Sequence, residues 1–206
     1  DDFTINWDSQ GVPSGWNLNV DTSGPMVTDS ISWNGFYEFD VVLSVPSDAL
    51  AGSTATFSMS AASNGDSTQT ASQDFTAVVD QHYGVTLSVD SDSKQSKPGE
   101  DVDFIFNITN TGNGQDNYIL SVSGPAVWNP VLSQNVSSIS AVSVSQFTMT
   151  VSIPSDRDAG ASSGDIVVTV VSSDGLSTAN STVSVMSSQV YDIGLDHVSG
   201  SDGVVS

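Results

Sequence analysis

Residues 45–52 read VPSDALAG, and residues 153–160 read IPSDRDAG. Each copy follows a run in which apolar residues alternate with polar ones, FDVVLSV at 39–45 and FTMTVSI at 147–153. Subtracting 45 from 153 gives 108, and the same spacing separates the Gln-x-Tyr sequences at 81–83 and 189–191. A constant spacing of this length is typical of tandem domains of ordinary size. The sequence therefore predicts two copies of one structural unit.

The amino-acid composition excludes several classes of partner. The 206 residues include 24 acidic and 3 basic side chains, for a formal net charge of −21. A surface this negative repels phosphate backbones and anionic lipid headgroups, so we expect no nucleic-acid partner and no direct membrane contact. Cysteine is absent, which excludes disulfides and thiolate metal sites. High acidity with abundant Ser and Thr favours a prokaryote from a saline habitat as the source, and an archaeon is favoured over a bacterium.

Alternating apolar residues predict the strands of the second unit. The runs lie at residues 83–89, 102–108, 118–122, 135–139, 146–153, 165–172 and 178–186. Residues 90–99 read as a polar loop, and NTGNG at 110–114 is typical of a turn. We therefore predict an all-β fold of tandem immunoglobulin-like Greek-key β-sandwiches, with about seven strands per complete unit. In the first unit, Tyr37 and Phe39 share the parity of the apolar run and are expected in the core.

Several of these motifs together resemble a known class of domain. PGE at 98–100, NTGN at 110–113, DNY at 116–118, the lone Trp128 and the IPSD motif look like the immunoglobulin-like repeats of archaeal and bacterial surface proteins, similar to the CARDB and NEW3 families. The resemblance implies an adhesive, stalk or cell-envelope role and an extracellular, cell-surface location. It brings no catalytic residues with it.

Comparison of the two copies predicts three segments. Residues 1–82 read as a sandwich lacking its first two strands, and residues 83–189 as a complete sandwich. Residues 190–206 read either as the first strand of a further repeat or as a strand donated to a neighbour through Tyr191, Ile193 and Leu195. No Gly, Ser or Pro spacer separates residues 80 and 83, so we expect a stiff link between the units.

The acidic residues near the link are candidate metal ligands. Asp80, Asp90 and Asp92 flank the junction between the units and could share a calcium ion, the one cofactor considered. The alternative is a solvated polar loop. An EF-hand is excluded, because no Gly stands at the sixth position of the loop and no Glu closes it.

Three Asn-x-Ser/Thr sequences are candidate glycosylation sites, at Asn107, Asn135 and Asn180. Alternation places Asn107 and Asn180 on the outward faces of their strands.

The first unit also carries Trp33 and Phe36, where the second has Ala141 and Val144. These rings could contact a subunit or domain, cap the end of the sandwich, or stack on a carbohydrate.

Nothing in the sequence predicts an enzyme. GASSG at 160–164 fits the G-x-S-x-G pattern of serine hydrolases, but a strand follows it where a helix is needed. We expect a structural component of an extracellular prokaryotic surface assembly, such as a filament, stalk or surface layer, that is a homo-oligomer or self-assembling polymer. The alternatives are an adhesive or glycan-binding module and an accessory domain of a secreted enzyme.

Overall fold

The computed structural model describes residues 1–20 and 25–194, and within these ranges its regular structure is β-strand except for one 3-10 turn at Ala126–Trp128. The strands of the first unit are β1 (Phe3–Asp8), β2 (Asn17–Val20), β3 (Met26–Val27), β4 (Val41–Ser44), β5 (Thr54–Ser63) and β6 (Thr70–Val78). Those of the second are β7 (Val85–Val89), β8 (Ser93–Ser96), β9 (Asp101–Asn110), β10 (Asp116–Ser123), β11 (Val131–Leu132), β12 (Val136–Ile139), β13 (Val144–Ser152), β14 (Ile166–Ser172) and β15 (Thr178–Ser187).

The second unit is a sandwich of two sheets. One has the order β12-β10-β14-β15-β8 and the other the order β11-β13-β9-β7. Strands far apart in sequence lie side by side, β9 with β13 and β10 with β14, so the chain crosses between the sheets in Greek-key fashion. The all-β, immunoglobulin-like prediction is confirmed: all seven expected strands are present, and β8 and β11 are two short additions.

Alternate residues of facing strands fill the core of this sandwich. Along β9, Phe104, Phe106 and Ile108 are fully buried while the residues between them face outward. Phe106 stacks on Phe147 of β13 with ring centroids 5.1 Å apart. Trp128 is also buried in this cluster. Burial of each such side chain stabilises the fold by about 1.5–3 kcal/mol. Because the buried cluster is made of residues of the second unit, this unit has a core of its own.

The prediction of a polar loop over residues 90–99 is wrong in part. Strand β8 pairs in parallel with the end of β15, Ser93 opposite Ser184 and Ser96 opposite Ser187. The sequence SKQS has no apolar residue, so the alternation that reveals a strand is missing. Backbone pairing at the sheet edge forms this strand instead. The complete unit therefore has three strands before β10.

Residues 1–20 and 25–82 form the corresponding sheets without counterparts of those three strands. Its sheets have the orders β3-β1-β5-β6 and β2-β4, which match β12-β10-β14-β15 and β11-β13. Strand β1 pairs with β3 and β5 as β10 pairs with β12 and β14. Within the described ranges, no strand of the first unit takes the place that β9 has beside β13.

Among the described residues of the first unit, several core positions lack covering strands and are exposed. Val45 is 44% exposed, whereas Ile153, its counterpart in the second unit, is 2% exposed. Phe39 is half-buried although its counterpart Phe147 is buried. The prediction that Tyr37 belongs to the core is wrong, because its side chain is 41% exposed. In the described part of the chain, β4 pairs with β2, but no strand takes the place on its other side that β9 takes beside β13.

Candidate domain-docking site

The loop between β9 and β10 has a shape fixed by one buried amide. The Asn110 side chain is fully buried, and its Nδ2 donates hydrogen bonds to the carbonyl oxygens of Gly114 (2.8 Å) and Ile139 (3.0 Å). Its Oδ1 accepts a hydrogen bond from the Gly112 N–H at 2.8 Å. Because a buried amide is costly unless its hydrogen bonds are made, this loop has one strongly favoured conformation. Asn113 therefore projects from a rigid support.

Asn113 joins the second unit to the link and to the first unit. Its Oδ1 accepts from the His82 N–H at 2.7 Å, and its Nδ2 donates to the carbonyl oxygens of Asp80 (3.0 Å) and Ala49 (3.3 Å). Its backbone carbonyl accepts from the Ala51 N–H at 2.9 Å, and its N–H donates to the His82 carbonyl at 3.2 Å. One residue thus satisfies five backbone groups across the junction.

Glycines let the loop approach this closely. A Cβ on Gly112 would collide with the His82 carbonyl oxygen. A Cβ on Gly114 would lie 2.9 Å from the Gln81 side chain and 3.1 Å from the Ala51 Cβ. The sequence identifies 110–114 as a turn, but the close approach gives the glycines a second role. We call the surface that receives Asn113, made by residues 49, 51, 80 and 82, the junction socket.

Trp33 and Phe36 lie on the surface of the first unit, 93% and 82% exposed. They flank a turn in which Asn34 has φ of +60° and the Gly35 N–H donates to the Ser32 carbonyl at 2.8 Å. Rings this exposed do not cap the sandwich end, which removes one of the three expectations. A subunit or ligand contact through them stays a prediction.

The structure does not bring Asp80, Asp90 and Asp92 together as a metal site. Asp90 instead binds the Lys94 ammonium at 2.5 Å and the Ile105 N–H at 3.1 Å. The hydrogen bond from Lys94 lowers the pKa of Asp90. No group of three or more His, Asp or Glu side chains in residues 1–20 and 25–194 is arranged to hold a metal ion. A shared calcium ion stays a prediction without support from this geometry.

The three glycosylation candidates differ in their surroundings. Asn135 and Asn180 are exposed, whereas Asn107 is half-buried and its Oδ1 accepts a hydrogen bond from Gln146 at 3.2 Å. The hydroxyl of Ser137, the third residue of the Asn135 sequence, is buried against Ser145. Asn180 is thus the most accessible of the three, and modification of any of them stays a prediction.

Tyr191 and Ile193 extend from the end of the second unit, 84% and 90% exposed, and Leu195 lies outside the described residues. Residues 191–194 form no strand. Their counterpart in the second unit, β7, pairs with β9 and not with β13. A segment like 190–195 donated to the first unit would therefore need a β9 equivalent beside it, which the described residues of that unit lack. Donation stays a prediction.

A buried carboxylate that the sequence did not reveal stabilises the second unit. Asp116 is 3% exposed and accepts hydrogen bonds from the Ser172 and Ser173 hydroxyls and the Asn117 N–H. Burial by itself would raise the pKa of Asp116, but these hydrogen bonds outweigh it and lower the pKa. The partners are 56 and 57 residues away in sequence, so no local motif could identify them.

The G-x-S-x-G sequence has no catalytic geometry. Ser162 forms a β-bridge with Met186, and its hydroxyl accepts a hydrogen bond from the Gly164 N–H at 3.1 Å. Strand β14 follows, as the sequence predicts, where a hydrolase would have a helix.

In the described part of the chain, no helix has the length and apolar character needed to cross a membrane.

No protein-family model matches the chain, so membership of the CARDB or NEW3 families is not shown. No curated protein matches it either.

Solved structures do resemble it. The PapD-like domain 7 of human CEP192, an ASH/PapD-like domain, has a TM-score of 0.36 at 13% identity and covers 52% of this chain and 87% of its own. A protein of unknown function from Porphyromonas gingivalis W83 has a TM-score of 0.34 at 13% identity, covering 90% and 84%. Domains 4 and 5 of the S-layer protein SbsC have a TM-score of 0.34 at 14% identity, covering 85% and 98%. At these scores the likenesses carry no argument about function.

Proposed function

We propose that this chain is a structural part of an extracellular prokaryotic surface assembly built from tandem immunoglobulin-like domains. The assembly would be a filament, a stalk or a surface layer, and the chain would serve it as a stiff segment that self-associates and catalyses no reaction. Its partners would be further domains of the same kind.

The observation that carries this proposal is the junction between the two units. A flexible linker would leave backbone groups of residues 80–82 to water, but here Asn113 binds the Asp80 carbonyl and both backbone groups of His82. Gln81 adds a hydrogen bond from its Nε2 to the Gln115 carbonyl at 3.0 Å. Polar contacts at each residue of the link oppose bending, which a segment that transmits force needs and a tether between independent modules does not.

The surface charge fits the same role. A net charge of −21 keeps such segments soluble and apart from nucleic acids and anionic membranes. The described residues contain only two ion pairs, Lys94 with Asp90 and Arg157 with Asp156, so most carboxylates there have no cationic partner. Ions in the surroundings would screen their repulsion.

The proposal is tested on cells of the source organism. An antibody raised against residues 83–189 should label intact cells, and protease added outside should remove the label. Electron microscopy of the labelled surface should place the epitope on a filament, stalk or layer. Labelling only after the cells are broken open would contradict the proposal.

A second candidate function is adhesion or glycan binding through Trp33 and Phe36, and their exposure favours it. Two aromatic rings on one turn can stack on the apolar faces of sugar rings. A glycan array probed with the chain and with its Trp33→Ala variant tests this function. Binding that is lost in the variant supports it, and equal binding by both proteins, or none, counts against it. An accessory role beside a secreted enzyme ranks third.

The proposed surface location makes Asn107, Asn135 and Asn180 candidate acceptors for glycans. We expect Asn180 to be modified first, because it is exposed on strand β15. The intact mass of protein from the native source measures this, with Asn180→Gln as the control. A mass equal to the sequence mass of 21.3 kDa for this stretch would contradict modification.

A further inference from the structure

The turn between β13 and β14 of the second unit has the same backbone hydrogen bonds as the turn at residues 46–53 that forms part of the junction socket. In the first unit the Ala49 N–H binds the Pro46 carbonyl at 3.1 Å and the Gly52 N–H binds the Val79 carbonyl at 2.9 Å. The equivalent hydrogen bonds of the second unit, 108 residues later, are those of Arg157 to Pro154 at 3.3 Å and Gly160 to Ser187 at 2.8 Å.

Two further pairs recur at the same spacing. The Ser53 N–H binds the Leu50 carbonyl and the Val79 N–H binds the Ser53 carbonyl, at 3.1 and 2.9 Å. Their counterparts, 161 to 158 and 187 to 161, measure 3.1 and 2.8 Å. Gly52 and Gly160 also have nearly equal φ angles, +79° and +82°. The backbone that receives Asn113 in the first unit is therefore built a second time.

This second turn has no docked loop among the described residues. The Ala51 N–H donates to Asn113, but the Ala159 N–H has no acceptor in residues 1–20 and 25–194. The carbonyls of Arg157 and Ser188, equivalent to those of Ala49 and Asp80, have no donor in the same ranges. Ala159 is exposed where Ala51 is half-buried.

The segment that follows β15 also matches the link. Gln189 and Tyr191 stand 108 residues after Gln81 and Tyr83. Tyr83 is half-buried, whereas Tyr191 is 84% exposed. The turn and the segment after β15 thus both have counterparts in the first unit and the link, and those counterparts contact the loop at residues 110–114. The same backbone groups in the second turn indicate a partner with the same kind of loop.

We infer that the turn at residues 154–161, together with Ser188 and residue 190, is a second junction socket. Its occupant is an immunoglobulin-like repeat joined to it through residues 190–194, which inserts an Asn-containing turn like NTGNG at 110–114. This inference rests on the proposed function and names the partner surface of the assembly.

One difference between the two links narrows the partner further. Asp192 stands where the link has Gly84, and a Cβ at Gly84 would collide with the Thr111 hydroxyl. The turn that docks on the second socket must therefore carry a smaller residue where the first carries Thr111, or hold that side chain in another rotamer. Within the turn, the two sockets differ at residues 157, 158 and 161, where Arg, Asp and Ala stand in place of Ala49, Leu50 and Ser53.

The first experiment converts residues 46–52 of the first socket into their counterpart within the existing chain. The double substitution Ala49→Arg, Leu50→Asp gives residues 46–52 the sequence of 154–160. Hydrogen exchange of the Ala51 amide, followed by NMR, should stay as slow as in the unaltered chain, and Asn113→Ala should accelerate it by about tenfold in both backgrounds, as expected for a loosened loop. If the double substitution alone accelerates exchange as much as Asn113→Ala does, the second turn cannot receive such a loop and the inference fails.

The second experiment supplies the occupant. In a chain of residues 1–190 followed by a second copy of residues 83–189, exchange of the Ala159 amide should slow by about tenfold relative to the original chain. Replacing the Asn of the appended copy that corresponds to Asn113 by Ala should reverse this, while the Ala51 amide serves as the internal control. Equally fast exchange of Ala159 with and without the appended copy overturns the inference, and so does protection in the original chain that grows with its concentration, because a second copy would then be the occupant. Either failure leaves the surface location untouched, since antibody labelling of cells tests that separately.

Discussion

Asn113 shows how a single amide side chain can determine the relation between two domains. An amide carries a donor and an acceptor at one end, so it can bind N–H and carbonyl groups of an irregular backbone at the same time. Here Oδ1 binds His82 and Nδ2 binds Asp80 and Ala49. Three backbone groups that would otherwise be hydrated become part of one network.

Replacing Asn113 by Ala should loosen the junction and leave both sandwiches folded. The backbone partners are partly exposed and can bind water instead, so we expect a loss of only about 1 kcal/mol in the free energy of unfolding. Exchange of the His82 amide should accelerate, as NMR would measure. The matched variant Asn113→Asp keeps the acceptor for His82 and loses the donor, so it should protect His82 but not restore the contact to Ala49. Slow exchange of His82 in Asn113→Ala would contradict the assignment.

Asp116 is the second residue whose role is set by contacts distant in sequence. Asp116→Ala leaves two serine hydroxyls without their acceptor and should destabilise the second unit by about 1–3 kcal/mol, as measured by denaturant unfolding. Asp101→Ala serves as the control, because Asp101 is exposed on the same unit and its replacement should change stability little. Equal losses for the two variants would contradict a structural role for the Asp116 carboxylate.

The lowered pKa of Asp116 also predicts a dependence on pH. Its folded pKa lies below the ordinary value of 3.8, so the carboxylate contributes its stability above that value and loses it as the pH falls through the folded pKa. Between about pH 5 and about pH 2, where carboxylates titrate, the unfolding free energy of the Asp116→Asn variant should fall less steeply than that of the unaltered chain. Parallel curves for the two proteins would show that Asp116 does not titrate differently in the folded state.

At the scale of the strands, equivalent residues of the two units differ in burial because their neighbours differ. Phe147 packs between β9 and the opposite sheet, whereas Phe39 has no strand beside it equivalent to β9 in the described part of the first unit. The apolar pattern is the same in both copies, yet only one copy buries it fully. Local sequence specifies the face of a strand, and the neighbouring strands determine how much of that face is covered.

This difference predicts unequal costs for equivalent substitutions. Phe147→Ala should destabilise the second unit by about 3–5 kcal/mol, because it opens a cavity in a closed core. Phe39→Ala should cost the first unit about 1–2 kcal/mol, because much of its ring already contacts solvent. Exchange of amides in β9 and in β5 reports the stability of each unit separately. Equal costs at the two positions would contradict the open core.

The sequence predicts the regular strands well and the edge elements poorly. Strands β9, β13, β14 and β15 follow from alternating or continuous apolar residues, and the spacing of 108 relates the last three of them to β4, β5 and β6 of the first unit. Strand β8 cannot be predicted in this way, because its four polar residues pair through the backbone alone.

The same limit applies to the docking site. NTGNG reads as a turn from its composition, but nothing local indicates that Asn113 reaches a residue 64 positions away. The exposure of Trp33 and Phe36 agrees with the expectation that they lie outside the core. Tyr37 shares the alternation of the apolar run, which predicts burial, but its side chain is exposed. Contacts between units depend on three-dimensional arrangement, which alternation and spacing do not encode.

At the scale of the whole molecule, repulsion between carboxylates opposes folding, and the salt concentration of the solvent changes its strength. A net charge of −21 with few ion pairs in the described residues predicts that salt stabilises the fold. The Debye length falls from about 30 Å at 0.01 M to about 3 Å at 1 M salt, so repulsion between carboxylates should fade over that range. We expect the Tm to rise by several degrees in both sodium chloride and choline chloride.

Neutralising exposed carboxylates provides the control. A variant with Asp48, Asp92, Asp101 and Asp165 replaced by Asn should have a higher Tm than the unaltered chain at low salt and a weaker dependence on salt. Calorimetric scans over the salt range measure both quantities. A Tm that is independent of salt, or that rises only with one cation, would contradict general screening.

The central claim is that the two units are held as one stiff segment by the junction. Because the chain has no cysteine, Ser60→Cys and Ser138→Cys place one spin label on an exposed position of each unit without competing thiols. Pulsed electron paramagnetic resonance then gives the distribution of distances between the labels. We predict a single narrow distribution that broadens when Asn113 is replaced by Ala. A broad distribution in the chain with Asn113 intact would contradict the claim.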